Sequence, residues 1–364
     1  MKGKIQGYLI FREKTPYKLA KISGKVPQNF VNREMTAACL AAEKYTENFV
    51  SYRLRPKSAG RVPRLDIGAD LSGVAIVLQG PLLLENDFTV ETVRLYKRSF
   101  PDAAVIVSSW VGSDPDAVSR LEQEGAIVAL SELPDNCGHL NINYQAVNTL
   151  AGIRKAIEIG AEYVCKTRTD QRLYHPDAFT HLLNLHRCYP VCNDDFKEQQ
   201  KGRIVSVCMP YGDLFYPYAV SDFLYFGYAE DIERMFSFPL DTREKGKGGK
   251  GMSRKKIAEE LIAPEIQIIR TYIDSMGGNN ECTVSAYWRF MKNHMIMLNK
   301  DELGLYWPKY GERYTEHSIN GYYYQIEEEN AYHCYNFDFI HWLMLYTGML
   351  TYKPEYERFS DYIL

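Results

Sequence analysis

The sequence predicts an α/β fold: a Rossmann-type sheet flanked by helices, preceded by a helical appendage and followed by an aromatic-rich region. Three observations predict it. From residue 74 onward, short apolar runs recur without polar alternation, the pattern of strands buried on both faces. Segments of helical period separate those runs. The runs end in polar tips, and ligands of open α/β sheets bind at the carboxyl ends of strands.

Residues 1–70 read as an appendage, residues 71–300 as the main domain and residues 301–364 as an extension packed on it. A helix is expected from about Asn32 to Leu54, rich in Ala, Glu and Lys. It should stop at Arg55-Pro56, because the residue before proline avoids the α region. A Gly/Pro/Arg connector from Ser58 to Pro63 follows. Val74 to Leu78 is the first strand, ending at Gln79-Gly80-Pro81. A helix with Val93, Tyr96 and Phe100 on one face runs to Pro101. Ala104 to Val107 is the second strand and leads into Ser108-Ser109-Trp110. A polar helix from about Asp116 ends at Gly125, and Ala126 to Leu130 is the third strand. The next helix carries Ala146, Leu150, Ile153 and Ile157 on one apolar stripe. Gly160 closes it, and Tyr163 to Cys165 opens a fourth strand that leads into Lys166-Thr167-Arg168-Thr169-Asp170. Further on, Ile204 to Met209 and Phe223 to Phe226 read as strands around the loop Tyr211 to Ser221. Residues 243–256 are Gly/Lys-rich and read as mobile. Residues 257–275 form one or two helices around Pro264.

Composition narrows the function. With 46% hydrophobic and 24% charged residues, a packed core is expected and bulk disorder is not. No apolar run approaches the ~20 residues of a membrane helix. The opening Met1-Lys2-Gly3-Lys4 leads only into the short apolar stretch Tyr8 to Phe11, which does not read as a secretory signal. Residues 1–64 carry 14 Lys and Arg against 4 Asp and Glu, while the whole chain is at −3. That basic arm can meet phosphorylated or lipid-borne anions, or serve only as a solvated surface. Its charges lack the interleaved aromatics of a nucleic-acid binder. Eight cysteines with no CxxC pair fit reduced, structural thiols. Cys188 and Cys192, near His181 and His186, make a weak zinc candidate.

Absent motifs exclude more. There is no Walker loop, no GxGxxG after the first strand, no GxSxG and no HExxH. P-loop kinases, ATPases and standard dinucleotide dehydrogenases are therefore disfavoured. What remains is the cluster Lys166, Arg168, Asp170 and Arg172. A period of two places the first three on one face of a continuing strand. Two cations and a carboxylate suit a metal-diphosphate group, since the carboxylate can bind a hard divalent ion that bridges phosphate oxygens. The bland alternative is an ion-pair ladder at a strand end. Gly80 permits close backbone approach by a nucleotide, or simply ends the strand. Of Asn141 and Asn143, one is expected to cap the following helix. The other, with Gln145, can read ligand hydroxyls or orient a loop, and Ser109 ends the second strand at the same edge. Asp222 and Glu265 are candidate general bases. Glu265 follows Pro264 at a helix start, where the dipole should hold it ionised. Tyr211, Tyr216 and Tyr218 can line an acceptor cleft or pack. His333 and His341 read mainly as packing residues.

The set Val77-Leu78-Gln79-Gly80-Pro81, Phe100-Pro101, Ser108-Ser109-Trp110, Asn141-x-Asn143, Lys166-x-Arg168-Thr169-Asp170 and Ser221-Asp222 resembles the WavE lipopolysaccharide-synthesis family over about residues 72–230. That resemblance implies a GT-A-like Rossmann-type mixed sheet and a glycosyltransferase of bacterial surface glycans, lipopolysaccharide or capsule. It implies a nucleotide-sugar donor, UDP-linked by preference, held by Gln79, Gly80, Pro81, Ser109, Asn143, Lys166, Arg168 and Asp170. It implies a saccharide or lipid-linked acceptor. Asp222 or Glu265 would serve as base if the reaction inverts the anomeric centre, and a retaining reaction would not need one; the sequence does not decide between them. Arg168-Thr169-Asp170 occupies the place of the DxD motif, so Asp170 is the one candidate ligand for Mg²⁺ or Mn²⁺. A cytoplasmic location, with peripheral contact at an anionic inner-membrane face and no nucleic-acid partner, completes the expectation. Two other classes stay open. A sugar nucleotidyltransferase would share the phosphate cluster, but Gln79-Gly80-Pro81-Leu82 is not its Gly/Arg/Lys-rich loop. A non-catalytic glycan-binding protein would use the aromatics and leave the charged tip without a purpose.

Overall fold

The computed structural model describes residues 28–46, 49–50, 54–64, 70–208, 214–244, 246–308 and 337–363. It divides into two compact units, Met1–Arg55 and Pro56–Leu364. In the first unit, helix α1 (Gln28–Tyr45) starts before the expected Asn32 and ends well short of Leu54. Thr46, Phe49 and Val50 are weak helix formers, and they outweigh the distant proline as a stop signal. Tyr211 and His333, and half of residues 1–64, lie outside the described residues.

The second unit is built on seven strands: β1 (Val74–Gln79), β2 (Ala104–Trp110), β3 (Ile127–Ser131), β4 (Tyr163–Arg168), β6 (Ile204–Val207), β7 (Tyr225–Tyr228) and β8 (Met295–Leu298). They form one sheet in the order β3-β2-β1-β4-β7-β6-β8. Strands β1 to β4 are parallel, β7 is antiparallel to β4 and β6, and β6 is parallel to β8. The sheet is thus mixed. All six residues of β1 are buried, as expected of a central strand covered on both faces.

Between the strands run α2 (Phe88–Ser99), α3 (Pro115–Gln123) and α4 (Ile142–Glu158). The chain steps outward from β1 to β3 and then returns past β1 to β4. Right-handed crossovers therefore put α4 on the opposite face from α2 and α3. The reversal makes the gap between the β1 and β4 tips the topological switch point, where such sheets open a crevice. Helix α4 lies very close to the sheet at Gly152, where a Cβ would collide with Val77 Cγ1. Only glycine admits that approach.

The remaining elements are a short β5 (Arg172–Leu173), α5 (Ala178–Cys188), α6 (Ala229–Phe236), α7 (Arg254–Glu259), α8 (Pro264–Ser275), α9 (Val284–His294), β9 (Leu305–Tyr306) and α10 (Phe339–Thr347). Strands β5 and β9 pair as a separate ribbon, with Arg172 opposite Tyr306. That pairing carries Trp307 toward the end of β4. The C-terminal segment packs into the same unit through Trp342, fully buried, whose Nε1 donates to the Met291 carbonyl at 3.1 Å. No described helix is long and apolar enough to cross a membrane.

Candidate functional site

The carboxyl ends of β1, β2, β3, β4, β6 and β8 lie along one edge of the sheet. Because β7 runs the other way, its amino end joins them, and with it the residues just before Tyr225. The edge thereby collects the tips Gln79-Gly80-Pro81 and Arg168-Thr169-Asp170 together with Asp222.

The β1 and β4 tips are latched to each other. Thr169 N donates to the Gln79 carbonyl at 3.1 Å, and Thr169 Oγ1 donates to the Pro81 carbonyl at 2.6 Å. Gly80 has φ +120, a conformation open to glycine. A Cβ there would stand 3.2 Å from Thr169 Oγ1. Its N–H donates to Asn148 Oδ1 at 2.7 Å, while Asn148 Nδ2 donates to the Ser109 carbonyl at 3.0 Å. One buried amide on α4 therefore sets the tips of β1 and β2. Gln79 and Ser109 are buried and Pro81 is exposed. The Ser109 hydroxyl is 3.0 Å from that of Ser113.

Two charged pairs flank the switch point. In the first, Arg168 Nε and Nη2 donate to the two oxygens of Asp170 at 2.9 and 3.3 Å. Both side chains are about a fifth exposed, at 20% and 21%. The guanidinium also lies over the Trp307 ring, 5.2 Å from its centroid, and Phe223 packs against the same ring at 4.7 Å.

The second pair is Asp222 and Glu265, which sequence separation hides and the fold brings together. Asp222 Oδ2 accepts a hydrogen bond from Gln145 Nε2 at 2.7 Å. The carboxyl of Glu265 has its pKa raised to about 7, first by desolvation and second by the charge of Asp222. Its expected ionisation by the α8 dipole is thus corrected: α8 does start at Pro264, but desolvation and a like charge outweigh the helix terminus. Burial also pushes the Tyr225 phenol up, with Asp222 and Glu265 adding to it.

Lys166 differs from Arg168 although the two share a strand face. Its side chain is fully buried, its ammonium donates to the Asp222 carbonyl, and it lies 5.8 and 5.9 Å from the Tyr225 and Phe236 ring centroids. Burial lowers its pKa to about 8, against the raising effect of Asp222. The amine thus holds the Asp222 backbone instead of reaching the open edge. Asn143 is spent in the same manner: Nδ2 donates to the carbonyls of Asn136 and Asp241, and Oδ1 accepts from Asp241 N at 2.7 Å. Asn141 takes the residue position before α4, with φ +68 and no capping bond from its side chain. Arg172 leaves the cluster altogether, binding the Phe88 and Lys57 carbonyls and Thr92 from a buried position. Tyr216 and Tyr218 are buried, and Tyr218 donates to the Glu281 carbonyl at 2.8 Å; both pack. His341 bonds Asp338 at the start of α10.

Three participants had no counterpart in the sequence reading: Asn148, Trp307 and the Thr169 latch. Asn148 lies outside the apolar stripe of α4, and only its burial reveals a role. Trp307 is delivered by the β5–β9 ribbon, whose strands are too short to read from sequence. Among the described residues no three His, Cys, Asp or Glu side chains come together as a metal site. Cys188 and Cys192 are free thiols.

The family described as WavE lipopolysaccharide synthesis matches residues 74–362 of this chain. No curated protein matches it. Solved structures with some similarity include glucosyl-3-phosphoglycerate synthase from Mycobacterium tuberculosis in complex with Mn²⁺, UDP and phosphoglyceric acid. The identity there is 14% and the TM-score 0.29, over 64% of this chain and 87% of that one. The same enzyme with Mg²⁺ and UDP gives 14% identity and a TM-score of 0.27, over 64% and 88%. A mutant of UDP-glucose pyrophosphorylase from Leishmania major gives 9% and 0.24, over 53% and 48%. Similarity at these scores carries no functional weight.

Proposed function

The chain belongs to the WavE lipopolysaccharide synthesis family, and from that premise we propose a glycosyltransferase that moves a sugar from a nucleotide donor, UDP-linked by preference, to a bacterial surface glycan such as lipopolysaccharide or capsule. The observation that carries the reading is the pairing of Arg168–Asp170 with Asp222–Glu265 across one switch point.

The donor's nucleotide lies against Gly80 and Pro81 on the β1 tip, where the backbone turns without a side chain. Arg168 faces the diphosphate. Its fork matches phosphate oxygens in a bidentate fashion, and Asp170 and Trp307 keep it oriented until the donor arrives. As the bond from the anomeric carbon to the diphosphate oxygen breaks, the electron pair leaves with the diphosphate, and the guanidinium offsets the added charge. The acceptor hydroxyl oxygen forms the new bond to the anomeric carbon from the opposite face. Its proton passes to the Asp222–Glu265 pair. A carboxyl raised toward neutral pH serves inversion, because a displacement from the far side needs a base there. Gln145 and Lys166 act as positioning residues, one on the Asp222 carboxylate and one on its backbone.

Among the described residues, no group of His, Cys, Asp or Glu forms a Mg²⁺ or Mn²⁺ site held by the protein alone. Asp170 is the single carboxylate at the β4 tip, and both its oxygens accept from Arg168. A saccharide or lipid-linked acceptor accords with the family, whereas a place at the cytoplasmic face of the inner membrane rests only on the basic residues of 1–64.

Calorimetry with UDP tests the donor reading. Heat of binding that Arg168→Ala weakens by about tenfold or more is expected, one bidentate phosphate contact being worth at least that. Absence of heat with UDP, GDP, CDP and dTDP alike would overturn it.

A further inference from the structure

The Gly/Lys-rich segment plays no part in the proposed chemistry, yet it is fixed to the same edge. Asn136 Nδ2 donates to the Arg243 carbonyl at 3.3 Å, and Asn143 holds Asp241. Beyond them, a Cβ on Gly246 would collide with His139 at Cε1 and Nδ1. The imidazole therefore presents its Cε1 edge, with a nitrogen on either side, to this glycine. His139 is only 8% exposed, and its buried Nε2 has no hydrogen-bond partner among the described residues. A buried ring nitrogen left so is costly.

The glycines of the segment separate into two kinds. Gly246 and Gly249 are required by packing, against His139 and against Ile257, whose Cδ1 a Cβ on Gly249 would strike. Gly251 has φ +82. Gly248 has neither constraint: no atom lies within 4 Å of its Cβ position and its φ is ordinary. A glycine that neither packing nor backbone sign demands leaves bare main-chain N–H groups open to close approach. Lys247 and Lys250, on either side, are exposed, and neither bonds an acidic side chain among the described residues. Glu244, just before the segment, is exposed.

We infer that residues 246–251, with His139 beneath them, form an anion site for a phosphate group on the acceptor. Lys247 and Lys250 supply point charges, the main chain around Gly248 supplies donors, and His139 Nε2 supplies a buried donor. Such a set suits a tetrahedral phosphate better than a planar carboxylate. Its place suits the acceptor and not the donor: six residues beyond His139, Gln145 bonds Asp222, the candidate base. The inference rests on the transferase reading for what carries the phosphate, and the binding itself is measurable without turnover. Phosphate on a saccharide and phosphate in a lipid headgroup share this chemistry.

Titration of the full chain with inorganic phosphate, followed by the His139 Cε1–H resonance and by calorimetry, tests it. The resonance should move on binding. Lys247→Ala with Lys250→Ala should weaken phosphate binding by about tenfold or more, two charge-assisted contacts being lost, with thermal melting and UDP binding unchanged. Displacement of phosphate by glucose 6-phosphate would place the group on a saccharide, and displacement by phosphatidylglycerol vesicles would place it on a lipid. A silent His139 resonance, full phosphate affinity in the double variant, or displacement by neither competitor would overturn the site. If UDP, GDP, CDP and dTDP all fail to bind while phosphate still moves His139, the donor reading falls and the anion site stands.

Discussion

The two charged pairs at the sheet edge follow opposite electrostatic rules. Arg168 and Asp170 satisfy each other with two parallel hydrogen bonds and keep a fifth of their surface in solvent. A pair still in touch with water contributes only ~0–1 kcal/mol to stability. Asp222 and Glu265 are like charges held together, and the fold tolerates them by keeping Glu265 protonated up to about pH 7. The first pair is at rest and the second is not. A relaxed pair can open for an incoming anion at little cost. A frustrated pair is poised to take up a proton near neutrality, which is the property a general base needs.

Removing the frustrated pair should have the largest effect. Asp222→Asn combined with Glu265→Gln should lower transfer by about 10³-fold, with circular dichroism unchanged. The single variants should rank the two, the true base losing about 10²-fold. A double variant with near-normal turnover would leave the acid pair without a catalytic part. The resting pair comes next: Arg168→Ala should lower turnover by about 10²-fold, and Asp170→Ala should follow it. Arg168→Lys keeps charge but loses the fork, so only part of the rate should return.

The contrast also has a pH signature. Turnover should rise with pH through about 7 as Glu265 loses its proton, and Glu265→Gln should abolish that limb. Stability should move the other way. The folded carboxyl keeps its proton above the ordinary 4.5 while the unfolded chain releases it. The group's contribution is complete below pH 4.5 and is lost as pH rises through about 7. Melting curves taken on the acid and alkaline sides of that window should therefore differ more for the wild type than for Glu265→Gln. The smallest effect on chemistry is expected outside both pairs. Gly152→Ala, pressed against Val77, should cost about 1–3 kcal/mol of stability and shift melting while leaving both pairs and the pH profile in place.

How much of this was legible in the sequence follows from range. Strands β1 to β4 and helix α4 announce themselves, because an unbroken apolar run or a single stripe is a local property. Gly80, Arg168 and Asp170 were legible as residues at strand tips for the same reason. The antiparallel course of β7 was not, nor was the meeting of Asp222 with Glu265, since both depend on how distant segments pair. Lys166 shows the limit most clearly. Spacing put it on the face of Arg168, but one step along that face separates a core ammonium from a guanidinium that reaches the edge. The end of α1 was missed in the ordinary way, at a boundary set by weak propensities.

Asn148 spans two neighbouring strand ends with a single amide, so the β1 tip cannot shift without dragging the β2 tip with it. The floor of the crevice therefore behaves as one plate. Trp307, by contrast, follows a ribbon of only two paired residues on each side. A substitution that loosened the ribbon would therefore move Trp307 while leaving the two strand tips in place.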